Sequence, residues 1–547
     1  MRKKLIALAL MTTMCTTMLT ACGNGEENTG SSSGGSSDTS SSQSKVIEPN
    51  KAVQSTDNYR NFYQIFVNSF CDSDDDSIGD IPGIISKLDY LNDGNPESGD
   101  DLGIDGIWLT PIAESQSYHK YDVEDYCSID STFGTMKDFE KLIEECNKRG
   151  IHVITDLVVN HSSNTHEWFV KACEEVKAGN FDGYAKYYHI VEKENAGDGY
   201  TQIQGTDYYY ESNFSDTMPE LNLSNPDVRE EIKKIMQFWF DKGVAGFRLD
   251  AIKYYDTGGD DGKEFCKWLV DTAHELKKDS YIVGENWSGT GTVSEWYTTG
   301  IYSQFNFPMS AAIGDYEATV RTGNVKKLLG TVKNWNETIK KQTPNAIDCS
   351  FLSNHDMVRS GASLGKDVEK EKMAAMYYML APGNPYIYYG EELGLVGSEK
   401  DNDGTYRLPM PWTGDEYDKI AVLRVTPDMA KEAIVDTADK AQKDENSLFS
   451  TYKKLITLKL QNPEIARGTI SKIVETSNDY MAGYVTEYEG KKVLVMYNGS
   501  KDKSAEATLD SDWKGIAGEV YAKSGSEKAK FAGDKLTLPP RSVVVIR

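Results

Sequence analysis

Between residues 60 and 390 the chain repeats one pattern. A short run of apolar residues ends in polar ones, and an amphipathic stretch follows. The runs lie at 62–68, 104–110, 153–160, 244–250, 281–285, 304–307, 347–353 and 385–389. Unbroken apolar runs of this length suit parallel strands buried on both faces. Helical spacing fills most of the gaps, as at 136–149, where Phe139, Leu142, Ile143 and Cys146 share a face, and at 228–240. Eight strand–helix repeats predict an α/β fold, a (β/α)8 TIM barrel with its active site at the C-terminal ends of the strands. A doubly wound sheet would want a Gly-rich phosphate turn after an early strand, and the sequence has none.

The third repeat is interrupted. Residues 162–225 are rich in Tyr, Gly and charged residues and too long for a simple loop; they predict an inserted subdomain beside the barrel mouth. The barrel domain is expected over 46–464, closing with a helix near 448–460. Strand-like segments at 480–488, 493–497, 507–509, 535–538 and 542–546, separated by Gly, Asn and Asp turns, predict a C-terminal antiparallel β-sandwich domain over 465–547.

Ahead of the barrel, Arg2, Lys3 and Lys4 precede an apolar stretch ending in Leu19-Thr20-Ala21-Cys22. This is the layout of a secretory leader, residues 1–21. Its end resembles the lipobox of bacterial lipoproteins, which implies lipidation of Cys22; an ordinary cleaved leader is the other reading. Residues 22–45 are mainly Ser, Gly, Asn and Thr and make a flexible tether. The expected location is the outer face of a bacterial cell envelope, with the membrane met only through the lipid.

Composition narrows the partners. With 85 acidic against 59 basic residues the net charge is −26, which argues against nucleic acid, because phosphate binding needs clustered cations. The 32 Tyr and 9 Trp suit either core packing or stacking on sugar faces. The cysteines at 15, 22, 71, 127, 146, 173, 266 and 349 include no close metal-type pair, so no zinc site is expected; export allows disulfides, and free buried thiols are the alternative. A monomer is expected.

Candidate chemistry gathers at the strand ends. The fourth run closes Gly246-Phe247-Arg248-Leu249-Asp250, the fifth Gly284-Glu285-Asn286, and the seventh leads into Ser353-Asn354-His355-Asp356. The third supplies Asp156, then Asn160 and His161. One acid at a strand end is usually a cap or a surface charge, but four such ends at one barrel mouth point to a site.

These residues carry a resemblance to the α-amylase family of retaining glycoside hydrolases. Its motifs are matched in order by D-L-V-V-N-H (156–161), G-F-R-L-D-A-I-K-Y (246–254), G-E-N-W (284–287) and F-L-S-N-H-D (351–356). Met218-Pro-Glu-Leu-Asn222 looks like the M-P-D-L-N stretch of members between α-amylases and oligo-glucosidases. The resemblance covers roughly residues 58–547. It implies Asp250 as nucleophile, Glu285 as general acid/base and Asp356 as transition-state stabiliser. It implies further that His161 and His355 bind the sugar before the cut, that Arg248 orients Asp250, that Tyr121 stacks on that sugar, and that Lys253 meets the sugar beyond it. Lys120 replaces a frequent Gly, a departure expected to reshape the neighbouring subsite.

The same resemblance implies Ca²⁺. Asp72, Asp74, Asp76 and Asp80, with the Ile78 carbonyl, look like the calcium loop of oligo-glucosidase-type members, and alternating carboxylates suit that ion. A second family site would match Asn160, Glu220 and the backbone of Tyr254, although Glu and Tyr replace the usual Asp and His there. Ala251 resembles members acting on α-1,4 bonds, and Arg407-Leu-Pro-Met-Pro-Trp412 resembles a stretch in glucosidase-like members. The expected substrate is starch or a malto-oligosaccharide. A 4-α-glucanotransferase or α-glucosidase is the nearest enzymatic alternative, and a non-catalytic oligosaccharide-binding lipoprotein the alternative of another class.

Overall fold

The computed structural model describes residues 60–257, 259–397, 402–414 and 420–547. The leader 1–21, Cys22 and the tether 22–45 lie outside the described residues.

Eight parallel strands follow one another around the sheet: Phe62–Ile65, Gly106–Leu109, His152–Leu157, Gly246–Leu249, Tyr281–Gly284, Ser303–Phe305 and Ile347–Cys349, with Tyr386–Tyr388 beside the first. The seventh and eighth strands are joined by backbone bonds from Asn384 N to Asp348 O and from Tyr386 N to Ser350 O, each 2.8 Å, which closes the barrel. Aromatic rings fill the inside. Phe62 stacks on Tyr386 with centroids 4.6 Å apart and on Tyr281 at 4.9 Å, and Trp108, Phe305 and Phe351 complete the plug. Such a barrel is a packed core and not a pore.

Every strand is shorter than the apolar run that announced it, because the run continues past the ladder into the mouth. The third strand stops at Leu157 and leaves Asn160 and His161 beyond it; the fourth stops one residue short of Asp250 and the fifth one short of Glu285. Outside, the helix Met136–Lys148 buries Phe139, Leu142, Ile143 and Cys146. Its start is fixed by Thr135, which accepts from the Asp138 amide while Asp138 accepts from Thr135 N, a reciprocal cap that satisfies two otherwise orphaned donors. The helices Pro226–Asp241 and Leu448–Gln461 fall where expected.

Within the interrupted third repeat, the helix Glu167–Lys177 precedes an antiparallel sheet of Ile190–Glu192, Tyr208–Glu211 and Tyr200–Gln202. The C-terminal region forms a five-stranded and a three-stranded antiparallel sheet, with Met481, Leu494, Met496, Leu536, Leu538 and Val544 between them. Three strands there were not expected: Thr469–Glu475, Ile516–Tyr521 and Lys530–Ala532. The first buries only Ile470 fully and the second carries Gly518 against Leu458, so neither shows a clean apolar alternation. Among the described residues the six cysteines are free thiols, and no helix is long and apolar enough to cross a membrane.

Behind the eighth strand lies a group of buried acids. Glu391 accepts from Tyr378 and Tyr452, and Glu392 from Tyr63 and Tyr90. Glu371 is 2% exposed and neither carboxyl oxygen has a partner. Burial, reinforced by Glu391, Asp367 and Glu317, pushes its carboxyl up to about 8. A raised acid is protonated in the fold but ionised in the unfolded chain, so stability falls as pH rises from the usual carboxyl value of 4.5 towards about 8. Glu371→Gln is therefore expected to raise the melting midpoint at pH 8 and to leave it nearly unchanged at pH 4.5. An equal shift at both values would show that proton linkage is not the cause.

Candidate active site

Arg248 is the centre of the mouth. It lies on the fourth strand, 1% exposed, and its guanidinium binds three carboxylates. Nη1 contacts Asp156 and, at 2.5 Å, Asp250 Oδ1; Nη2 lies 3.0 Å from Glu285 Oε2. Asp156 Oδ2 also accepts from Trp108 Nε1 at 2.9 Å and from Tyr121 OH at 3.3 Å. One buried cation thus gathers acids from the third, fourth and fifth strand ends. Asp156 lies at the base of this network; the sequence marks it as an acid at the third strand end, in D-L-V-V-N-H, but gives it no role of its own.

The backbone after the fourth strand is bent for the same purpose. Ala251 has φ +48°, a left-handed conformation that costs an L-residue about 1 kcal/mol. Its amide donates to Glu285 Oε2 at 3.0 Å. Burial pushes the Glu285 carboxyl up to about 7; Arg248 opposes this, while Asp250 and Asp356 add to it.

Asp356 comes from the long turn after the seventh strand. Its Oδ1 lies 2.9 Å from Arg407 Nη2 and its Oδ2 3.2 Å from His355 Nε2. Burial opposes its charge, but neighbouring His355, Arg407 and Arg248 outweigh that and hold its carboxyl below the usual range. His355 is fully buried, and burial takes its pKa down to about 3, so the ring is neutral. Gln64 Nε2 donates to its Nδ1 at 2.8 Å, which puts the ring proton on Nε2, facing Tyr121 OH at 2.7 Å. The Tyr121 and His355 rings stack at 5.5 Å.

These groups border a cavity of about 510 Å³. Asp250, Glu285, Asp356, Tyr121, His161 and Lys253 all line it, whereas Arg248 and His355 support it from behind. His161 is 2% exposed with no protein partner for Nε2, a nitrogen left for a ligand. Lys253 Nζ donates to the Trp287 carbonyl at 3.1 Å. Two lining aromatics had not been singled out: Trp287, 46% exposed and stacked on Phe307 at 4.9 Å, and Phe214, 45% exposed and packed on His161 and Tyr254. Lys120 does not reshape a subsite. Its backbone has φ +64°, which explains the frequent Gly at this place, and its buried side chain turns to Asp130 at 2.6 Å.

The metal candidates differ in how well they gather. Carboxylate oxygens of Asp72, Asp74 and Asp80 lie within 4.8 Å of one another, a set of hard anionic donors that fits Ca²⁺. Asp75 and Ser77 take positive φ in this loop, and Asp80 caps the helix Ile81–Ser86. Asp76 stands outside the trio and accepts from the Ile78 amide at 2.8 Å. At the second place, Glu220 accepts from Asn213 N at 3.1 Å and faces Glu211, which was not foreseen. Burial and Glu211 push Glu220 up to about 7. Asn160 lies beside the His161 ring, and Tyr254 packs on Phe214. Among the described residues, Asp72, Asp74 and Asp80 form the only acidic or histidine trio close enough to hold an ion.

A closed parallel barrel with clustered carboxylates at its C-terminal mouth defines a (β/α)8 enzyme. The family description "Alpha amylase, catalytic domain" matches residues 64–468. Alpha-amylase 3 of Dictyoglomus thermophilum is 36% identical over 497 residues, covering 89% of this chain and 93% of the relative. Oligo-1,6-glucosidase of Parageobacillus thermoglucosidasius is 30% identical over 522 residues, covering 80% and 89%. The solved structure of Eubacterium rectale Amy13B is 39% identical with a TM-score of 0.82, covering 90% and 96%. The chain belongs to the α-amylase family of glycoside hydrolases.

Proposed function

We propose that the protein cleaves α-1,4-glucosidic bonds of starch and malto-oligosaccharides with retention of configuration, through a covalent glycosyl ester on Asp250. The observation that carries this is the grip of one buried guanidinium on Asp250 and Glu285 through neighbouring nitrogens. A retaining pair needs its two carboxyl groups close together, ~5–5.5 Å apart, and a shared guanidinium keeps these two on one side of the mouth. Glu285, whose carboxyl burial raises to about 7, in its protonated form donates its proton to the leaving oxygen as an Asp250 oxygen bonds to the anomeric carbon. The carboxylate so formed on Glu285 then takes a proton from water, which attacks the same carbon and releases Asp250. Asp356, held ionised, lies close enough to stabilise the positive charge that develops on the sugar. Ala251 and Lys253 support the α-1,4 assignment.

The test is incubation with maltoheptaose, pullulan and starch, with the anomeric proton of fresh product followed by NMR. Shorter glucans released first as the α-anomer are expected. β-Anomer would overturn the retaining mechanism, and binding without any cleavage would favour an oligosaccharide-capture protein.

Ca²⁺ bound by Asp72, Asp74 and Asp80 would tie the loop after the first strand to the helix that Asp80 caps. It would supply structural stabilisation and no catalytic chemistry. EDTA is expected to lower the melting midpoint by several degrees, Ca²⁺ to restore it, and Asp74→Asn to abolish the Ca²⁺ effect; a midpoint indifferent to EDTA would remove the metal from the account. The leader and Cys22 support a protein tethered outside the cell.

A further inference from the structure

A second cavity lies between the barrel helices and the C-terminal sheets and shares no lining residue with the first. Its volume is about 560 Å³, within the range of small-molecule sites. One wall is the end of the helix Asp315–Thr322 and a face of the helix Val368–Met379; the other is Tyr480, the turn at 499–503 and Arg541. Five cationic side chains line it against two acids, a local positive excess on a chain whose net charge is −26.

Two of the lining groups are buried and incompletely paired. The Arg541 side chain is 9% exposed. Its Nη1 pairs with Glu369, whereas Nε and Nη2 have no protein partner among the described residues. The Arg541 backbone has φ +50°, a left-handed conformation that strains an L-residue, so the turn ahead of the strand Ser542–Ile546 sets this guanidinium in place at a cost to stability. Tyr377 is 2% exposed, and its hydroxyl has no partner. A buried hydroxyl left unmatched is costly. Burial pushes its pKa up against the opposing pull of nearby Arg541, so the phenol keeps its proton and can donate it. A Cβ at position 499 would come within 2.7 Å of this hydroxyl, so Gly499 is what lets Tyr377 reach the C-terminal wall. Asp367, one of the two acids, is paired with Lys370 at 3.2 Å.

A guanidinium fork with two unused N–H edges matches the oxygens of a phosphate group, and a neighbouring O–H donor adds a further contact. We propose that this cavity is a phosphate-binding site in which Arg541 and Tyr377 hold the phosphate oxygens. The same chemistry serves inorganic phosphate and a phosphorylated sugar, and the volume leaves room for the sugar. The site is separate from the reaction at the barrel mouth and does not depend on it.

The test is calorimetric titration of the protein with inorganic phosphate, glucose 6-phosphate and glucose, for the wild type, Tyr377→Phe and Arg541→Asn. Tyr377→Phe removes only a hydroxyl that makes no protein bond, and Asn tolerates the left-handed backbone at 541. Both phosphates are expected to bind, and each substitution to weaken them about tenfold, the scale of one hydrogen bond to a charged group. Glucose should show no binding that either substitution weakens. Tighter binding of glucose 6-phosphate than of inorganic phosphate, with that dependence on both residues, supports the site and assigns a sugar phosphate; the reverse order supports it and assigns the free anion. Absence of binding by either phosphate overturns the inference. So does phosphate binding that either folded variant leaves unchanged, or a glucose affinity that falls alongside. Should Arg541→Asn fail to fold, Tyr377→Phe decides the matter by itself.

Discussion

Glu285→Gln is expected to lower kcat on malto-oligosaccharides by about a hundred- to ten-thousandfold, the usual worth of a positioned general acid, while α-glucosyl fluoride still glycosylates Asp250. Fluoride needs no proton to leave, so only a glucoside leaving group depends on the missing acid. The second half-reaction loses its base in the same variant. Azide, a nucleophile that needs no deprotonation, should restore turnover of the fluoride and yield a glycosyl azide. Activity of the wild type on glucans should fall as pH rises through the value near 7 to which burial pushes Glu285, because the acid must be protonated to act. That limb should vanish from the fluoride's glycosylation step. If Glu285→Gln slowed glucans and fluoride alike in that step, Glu285 would not be the acid.

The second large effect is expected at Arg248. Arg248→Leu leaves Asp156, Asp250 and Glu285 in a buried site without their cation. Breaking a buried ion pair by removing one partner costs about 3–5 kcal/mol, and here three carboxylates share the loss. The protein should fold marginally, with a sharply lower melting midpoint, and lose activity altogether. Arg248→Lys separates the structural role from the catalytic one. An ammonium keeps the charge but cannot hold Asp250 and Glu285 on two fixed nitrogens. Most of the stability should therefore return and most of kcat should not. Recovery of both by Lys would mean that charge alone matters at this position and would remove the guanidinium from the geometric argument.

How much of this fold and site is legible in the amino-acid sequence depends on the range of the interaction behind each feature. The barrel was legible because eight apolar runs recur, most of them separated by an amphipathic stretch, and burial on both faces is a local property of each strand. The helix at 136–148 was legible down to its buried face, since Phe139, Leu142, Ile143 and Cys146 repeat at helical spacing. The edge strand at 469–475 escaped because only Ile470 is fully buried, leaving no alternation to read. The carboxylates that meet at the mouth were legible through short motifs in which neighbouring residues carry the signal, such as Arg248 two places before Asp250.

What the sequence determined by itself was therefore the architecture, the family and the residues at the strand ends, all of which rest on local pattern. Tertiary structure alone decided which of these groups meet. It placed Asp156, Asp250 and Glu285 on one guanidinium, turned Lys120 away from the cavity to Asp130, set Glu211 against Glu220, and left Asp76 outside the carboxylate trio. It also joined Tyr118 to Asp403 across 285 residues of chain. Hydrogen bonds and ion pairs are short-ranged in space and indifferent to separation along the chain, so linear spacing carries no record of them until the barrel closes.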